Sequence, residues 1–313
     1  MHVDVRDLRY FLAVAEQRHF TRAARELGVA QPSISKQIRL LEQELGTTLF
    51  HRTRGNVALT HAGEALLPWA RRVLADVTTA TDEVRELAGL RRGRLSVGAT
   101  PSITTAILPG ALAGMRAAYP GLDLKLREAG SRDLIRDVDG GSLDLALVIL
   151  PVRHRSLRTA PLLREELVVA VAREHALARR DALALTELRD LPFVMFREGY
   201  DLRETTLAAC AAAGFEPRLA VEGAEMDGVL RMTAAGLGVA VVPSMVVAKG
   251  GPLRAIRLVR PRLARTIAFA YRRDRPPARA ARELMERVSA LVSSRAWLST
   301  MPSGLESIGS SAP

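Results

Sequence analysis

The sequence predicts an α/β protein with an all-α-dominated N-terminal domain: a winged helix-turn-helix, a long linker helix, and then an α/β domain of two lobes. Three observations predict it. The stretch TRAARELGVAQPSISKQIRLLEQEL, Thr21 to Leu45, reads as two short helices about a tight turn. Apolar residues from Leu66 to Leu87 recur in alternating steps of three and four, the seam of a pairing helix. Beyond the basic segment Arg91–Arg94, apolar strands alternate with helices in two successive copies.

Leu8, Phe11, Leu12 and Ala15 give one apolar stripe to a first helix over about residues 6–17. Thr21 offers a hydroxyl to cap the next helix. Ala23, Ala24 and Leu27 make its apolar face, and Gly28 supplies a left-handed stop. After the turn Gly28-Val29-Ala30, Pro32 suits the first position of a helix. Ile34, Ile38, Leu41 and Leu45 recur at helical spacing and face inward, which leaves Ser33, Ser35, Lys36, Gln37 and Arg39 as a donor-rich front. A helix with a packed back and such a front, held by a preceding helix, has the geometry of a recognition element entering a major groove by its N-terminal half. Glu42 and Glu44 would repel phosphate, so that end is placed outside the groove. A surface hairpin with solvated charges is the competing reading.

After Gly46 the segment TTLFHRTRGNVALT alternates about Arg54-Gly55-Asn56, a hairpin signal. Beside a recognition helix a hairpin is a wing, and His51, Arg52 and Arg54 make its tip basic enough to reach phosphates or a minor groove. Thr60 caps a long helix to about Leu90, bent by Pro68, with the seam Leu66, Ala70, Val73, Val77, Ala80, Val84 and Leu87. That seam predicts pairing between two copies, which suits a protein reading two half-sites.

The segments LRYFLAVAE, FTRAARELGVAQPSISKQIRLLEQELGTTLFHRT and VALTHAGEALLPWARRVL resemble the LysR-type transcriptional regulators over about residues 6–90. The resemblance implies a winged helix-turn-helix, a linker-helix dimer interface and often a tetramer. The family's DNA-facing positions fall here on Thr21, Gln31, Pro32, Ser33, Ser35, Lys36, Arg39 and Arg52.

Arg91-Arg92-Gly93-Arg94 reads as a hinge. Strand Leu95–Gly98, helix Leu108–Ala118, strand LDLKLRE, helix Ser131–Val138 and strand LDLALVI then predict a parallel sheet. After ELVVAVA a second copy follows: strand PFVMF at 192–196, helix 202–213, strand LAVEG, helix 226–235 and strand GVAVVP. RTIAFAYRR (265–273) returns the chain, and a helix runs from about Pro277 to Ser294. The expected domains are 1–60 for the winged helix-turn-helix and 61–90 for the linker helix. The effector domain spans 91–300, with lobe I at about 91–163 and 268–300 and lobe II at about 164–267; a polar tail at 301–313 is expected to be disordered.

Ligands of such sheets bind beyond the carboxyl ends of strands, against helix N-termini. The candidates are Thr100, Ser102, Ser131, Ile149, Phe196, Arg197, Glu225 and Met226. Hydroxyls and amides at the first positions could hold a carboxylate or phosphate, or the serines could simply cap helices. Arg132, Arg197 and Arg203 would suit an anion, whereas Glu198, Glu225 and Asp227 pull the other way. ILPGAL, AYPGLDLKL, GGSLDLALV and MTAAGLGVAVVPS resemble the LysR-type effector domain, and more loosely periplasmic binding proteins.

Net charge is +11 with a pI near 10.9, which permits a polyanion partner. The excess does not locate one, since residues 1–92 hold 14 Lys/Arg against 11 Asp/Glu and the rest 31 against 23. Cys210 is the single cysteine, so no internal disulfide forms, and its helix makes it a small core residue. Neither a secretory signal nor a membrane-spanning run is read, and a cytoplasmic protein is expected. No metal spacing, phosphate loop or nucleophile elbow occurs, so neither catalysis nor a cofactor is expected. The reading is a regulator binding double-stranded DNA, a homodimer or homotetramer, modulated by a small-molecule effector of unknown identity, with RNA polymerase as a further partner. A solute-binding module, a metabolic α/β enzyme with an accessory helical domain, and a non-specific DNA-packing protein are the alternatives.

Overall fold

The computed structural model describes residues 3–53, 56–87, 93–300 and 304–308. The wing turn at Arg54-Gly55, the helix end at Leu90, the hinge at Arg91-Arg92 and the side chains of Arg52 and Leu87 lie outside the described residues. The chain forms two compact units, Met1–Leu90 with Asp139–Ser142, and Arg91–Val138 with Leu143–Pro313.

In the first unit, α1 (Val5–Gln17) starts on Asp4, whose carboxylate accepts the Arg6 amide at 2.8 Å while the Asp4 amide donates to Asp7 at 3.0 Å. Such a reciprocal cap is worth about 1 kcal/mol. α2 (Phe20–Glu26) and α3 (Gln31–Leu45) follow. His19 rather than Thr21 caps α2, its Nδ1 accepting the Thr21 amide at 3.2 Å. The helix begins one residue before Thr21 because Phe20 is already helical and sits edge-on to Phe50 at 5.9 Å. Pro32 is the second residue of α3, after Gln31, where its missing N–H is still one that no helical carbonyl would meet. Ile34, Ile38 and Leu41 share one core with Phe11, Val14, Ala23, Leu49 and Phe50, and Leu45 is half-buried at its edge.

β1 (Phe50–Thr53) and β2 (Asn56–Leu59) pair antiparallel. α4 (His61–Leu87) runs unbroken through Pro68. Thr60 caps it, accepting the Gly63 amide at 3.1 Å and donating to the Thr48 carbonyl at 2.6 Å. Glycine is required at 63, since a Cβ would lie 2.2 Å from the Leu49 carbonyl oxygen. Leu66 and Ala70 of the expected seam serve the domain's own core with Leu67 and Leu74. Further along the seam, Val73, Val77 and Val84 are 38%, 40% and 66% exposed.

In the second unit β3 (Gly93–Ala99), α5 (Pro101–Ala106), α6 (Leu108–Ala118), β4 (Leu122–Glu128), α7 (Ser131–Asp139) and β5 (Leu145–Leu150) build lobe I, with β4-β3-β5 parallel. β6 (Leu157–Ala172) leaves this lobe, and β7 (Ala182–Ala184), β8 (Pro192–Phe196), α8 (Asp201–Ala212), β9 (Arg218–Ala224), α9 (Met226–Ala234), β10 (Ala240–Pro243) and β11 (Leu253–Arg260) form lobe II. β12 (Ala264–Arg272) returns, followed by α10 (Arg279–Ser293), α11 (Arg295–Thr300) and β13 (Leu305–Ser307). The first half of β6 pairs with β12 and the second with β10 and β11, so one strand belongs to both lobes. Each lobe has its own apolar core, Phe193, Val229 and Ile256 in lobe II and Val97, Phe269 and Leu284 in lobe I.

Two expectations need correction. The lobe I sheet is mixed, because β12 comes back from lobe II and must enter antiparallel between β5 and β6. The expected disordered tail contains β13, with Leu305 opposite Glu165 on a free edge of β6 and packed on the lobe I core. No helix among the described residues is long and apolar enough to cross a membrane.

Candidate functional site

The exposed front of α3 carries Pro32, Ser33, Lys36 and Arg39, with Leu40 beside them at 42% exposure. Thr21 is exposed on α2 and Gln31 half-buried. Ser35 is not on this front. One residue after Ile34 and three before Ile38, it borders the inward face; it is buried, and its hydroxyl accepts from Gln31 Nε2 at 2.8 Å. Gln37 borders the other side and donates to Asp7 Oδ1 at 2.6 Å, which ties α3 to α1. Arg39 Nε donates to the neutral Ser35 carbonyl at 3.3 Å. Glu42 Oε1 accepts the amides of Leu49 and Phe50 at 2.9 and 3.3 Å, which sets the wing against the helix. The roles of Asp7 and Glu42 leave no sequence signal beyond an acid in an apolar pattern.

In the second unit the candidates fall into separate groups. Ser131 Oγ accepts the Ile149 amide at 3.1 Å and donates to Asp201 Oδ2 at 2.7 Å, across from lobe II. Ser102 is buried and accepts from Arg265 Nη2 at 2.8 Å. That guanidinium also pairs with Glu165 Oε2 at 2.8 Å, and Glu165 Oε1 accepts the Met245 amide at 2.8 Å. The crossing strands β6 and β12 are thus joined to α5 of lobe I and to the residues after β10 of lobe II. Thr100 caps α5 by position only: its Oγ1 is buried without a protein partner. Tyr200 OH is in the same condition, and its ring stacks on Phe196 at 4.9 Å. Burial first, then the charges of Glu225 and Glu128, push the Tyr200 phenol far above its ordinary range, so it stays a donor.

Phe196 and Met226 are packed into the lobe II core, which removes their side chains from the open walls. Arg197 Nε pairs with Glu225, which raises the guanidinium's pKa and occupies both candidates with each other. Arg203 holds the Phe196 carbonyl at 2.9 Å and Glu222 at 3.0 Å, and Asp227 holds Arg231 at 2.7 Å. The strand-end rule places backbone correctly but does not say where each side chain turns. Asp201, Tyr200, Glu165 and Arg265 were missed for that reason.

A winged helix-turn-helix with a cation-bearing outer face, followed by two α/β lobes sharing their crossing strands, defines a ligand-responsive transcriptional regulator. Residues 5–64 match the family model for bacterial regulatory helix-turn-helix proteins of the lysR family, and residues 88–292 match the LysR substrate binding domain. The chain belongs to the LysR family of transcriptional regulators, and it is not an enzyme. It is 33% identical over 286 residues to the regulator YwbI of Bacillus subtilis, covering 91% of this chain and 95% of that one. It is 32% identical over 281 residues to a hydrogen peroxide-inducible genes activator of Dickeya chrysanthemi, covering 88% and 91%. A full-length OxyR variant from Pseudomonas aeruginosa superposes with a TM-score of 0.75 at 28% identity, over 97% of this chain and 99% of that one. CbnR complexed with its target DNA superposes with a TM-score of 0.66 at 27% identity, over 91% and 99%.

Proposed function

We propose that this chain is a cytoplasmic, homo-oligomeric regulator that reads double-stranded DNA with residues 1–60 and pairs through 61–90. In this reading a small molecule bound between the lobes of 91–300 switches it, and RNA polymerase is its downstream partner. One observation carries the DNA reading: Ser33, Lys36 and Arg39 stand exposed on α3 while Ile34, Ile38 and Leu41 behind them are buried. Thr21, Gln31, Pro32 and the wing's Arg52 flank that front in sequence; Ser35 acts indirectly, by holding Gln31. The likeness to CbnR, whose structure is complexed with its target DNA, supports DNA as the partner. The test is binding to the DNA upstream of the protein's own coding region against scrambled DNA over a salt series. Preference that persists as salt rises supports the reading; equal affinities that collapse together overturn it.

For the effector, Thr100 and Tyr200 present buried hydroxyls without protein partners, a condition that costs about 1–3 kcal/mol each unless a ligand meets them. The cations near them are already paired, Arg265 with Glu165 and Arg197 with Glu225. The effector is therefore a small, uncharged, hydrogen-bonding molecule, with Ser102, Ser131 and Ile149 setting the lobe I wall. A thermal-shift screen of uncharged metabolites tests this, since a hit must lose its shift in Thr100→Val or Tyr200→Phe. Peroxide sensing by thiol chemistry, which the names of several relatives bring to mind, is not favoured here: Cys210 is fully buried and burial pushes its thiol up to about 11.

A further inference from the structure

Several arginines of the two lobes are paired with a carboxylate: Arg127 lies 2.6 Å from Asp137, Arg180 3.2 Å from Glu187, and Arg287 2.7 Å from Glu283. Other exposed arginines have no such partner among the described residues, and three of these, Arg153, Arg158 and Arg273, gather at one place. They line one cavity of about 530 Å³ in lobe I with His154, Thr159 and Tyr271, and no carboxylate lines it. Among the described residues none of the three is within salt-bridge distance of an acid. Arg273 donates only to a neutral group, the Leu157 carbonyl at 3.4 Å, so its charge is not cancelled.

The cavity is built on strands. Arg158 of β6 stands directly opposite Tyr271 of β12, and the Arg273 amide is tied to the Ser156 carbonyl at 2.7 Å. Three guanidinium groups gathered without a counter-charge repel one another in the empty state, and an anion relieves that repulsion. The planar fork of arginine matches phosphoryl oxygens two at a time, and Thr159 and Tyr271 add neutral hydroxyls. Arg158 is seven residues along β6 from Glu165, about 20 Å at strand spacing, so this cavity is separate from the inter-lobe cleft.

We propose that this cavity is a second ligand site of the regulator, for a small molecule bearing phosphoryl groups. It does not depend on the identity of the effector in the cleft. The test is isothermal titration of the full chain with inorganic pyrophosphate, with a short random-sequence duplex titrated in parallel. Saturable pyrophosphate binding is expected, weakened about tenfold by Arg158→Gln and, independently, by Arg153→Gln. Both side chains are exposed, so far-UV circular dichroism should be unchanged. Arg218→Gln, an exposed arginine of lobe II, and Tyr200→Phe, in the cleft, should leave binding as it was. Absence of saturable binding overturns the site, and so does an equal loss in Arg218→Gln, which would mean diffuse charge. If the Arg153 and Arg158 variants lose affinity for the duplex but not for pyrophosphate, the patch contacts DNA and the proposal fails.

Discussion

Ser131 Oγ and Asp201 Oδ2 lie 2.7 Å apart, one on the first residue of α7 in lobe I and the other on the first of α8 in lobe II. The same hydroxyl accepts the Ile149 amide, so one serine closes two elements of its own lobe and clasps the other. A hinged pair needs such a contact, because a ligand can shift the lobes only by favouring one arrangement over another.

Ser131→Ala removes the partner of both Asp201 and the Ile149 amide. A loss of about 1–3 kcal/mol is expected in urea unfolding, with a coupling of about 0.5–3 kcal/mol in the double-mutant cycle with Asp201→Ala. Additive losses would mean that the clasp carries no energy.

Glu165 is fully buried and Arg265 nearly so, and each is the other's charge partner. Arg265→Met alone should cost about 3–5 kcal/mol, since it strands a buried carboxylate, whereas the double change Glu165→Leu with Arg265→Met should cost less than either single change. Urea unfolding of the three variants decides it.

Lys36→Ala and Arg39→Ala should each lower the salt slope of DNA binding by about 1, as expected when one phosphate contact is lost. Ser35→Ala should leave the slope unchanged and instead lower stability by about 1 kcal/mol, because it frees Gln31. Fluorescence anisotropy at several salt concentrations separates the two.

Val77 and Val84 are exposed on the seam of α4. Val77→Asp with Val84→Asp should lower the mass measured by sedimentation, since burying an unpaired charge in a helix pair is strongly unfavourable. An unchanged mass would remove the seam from the interface.

Cys210 should react with a thiol reagent at pH 8 about a hundredfold more slowly in the native protein than in urea. Its folded pKa lies above its unfolded value, so the buried thiol supports stability below the unfolded pKa and that support is lost as pH rises through about 9 to 11. Urea midpoints measured from pH 8 to 10.5 should fall more in the wild type than in Cys210→Ala.

Much of the first domain was legible because helix periodicity, cap residues and turn glycines are local signals. α1 and the back face of α3 followed from spacing alone. Thr21 and Ser35 show the limit: a hydroxyl near a helix start suggests a cap or a contact surface, but Phe20's seat on Phe50 moved the cap to His19, and the neighbourhood of Ile34 and Ile38 drew Ser35 inward. In the lobes, the helices and most strands were likewise readable, while β7 and β13 escaped because a run of three residues carries little alternation.

The sequence by itself determined the order of elements, the donor-rich face of α3, the seam of α4 and the two α/β repeats, all properties of residues within a few positions of one another. Tertiary structure alone decided which groups meet across long separations: Asp7 with Gln37, Ser131 with Asp201, Glu165 with Arg265, and the three arginines around Tyr271. The physical reason is that a side chain's partner depends on how strands cross and which way each side chain turns from its backbone, and neither is set by the local pattern of apolar and polar residues.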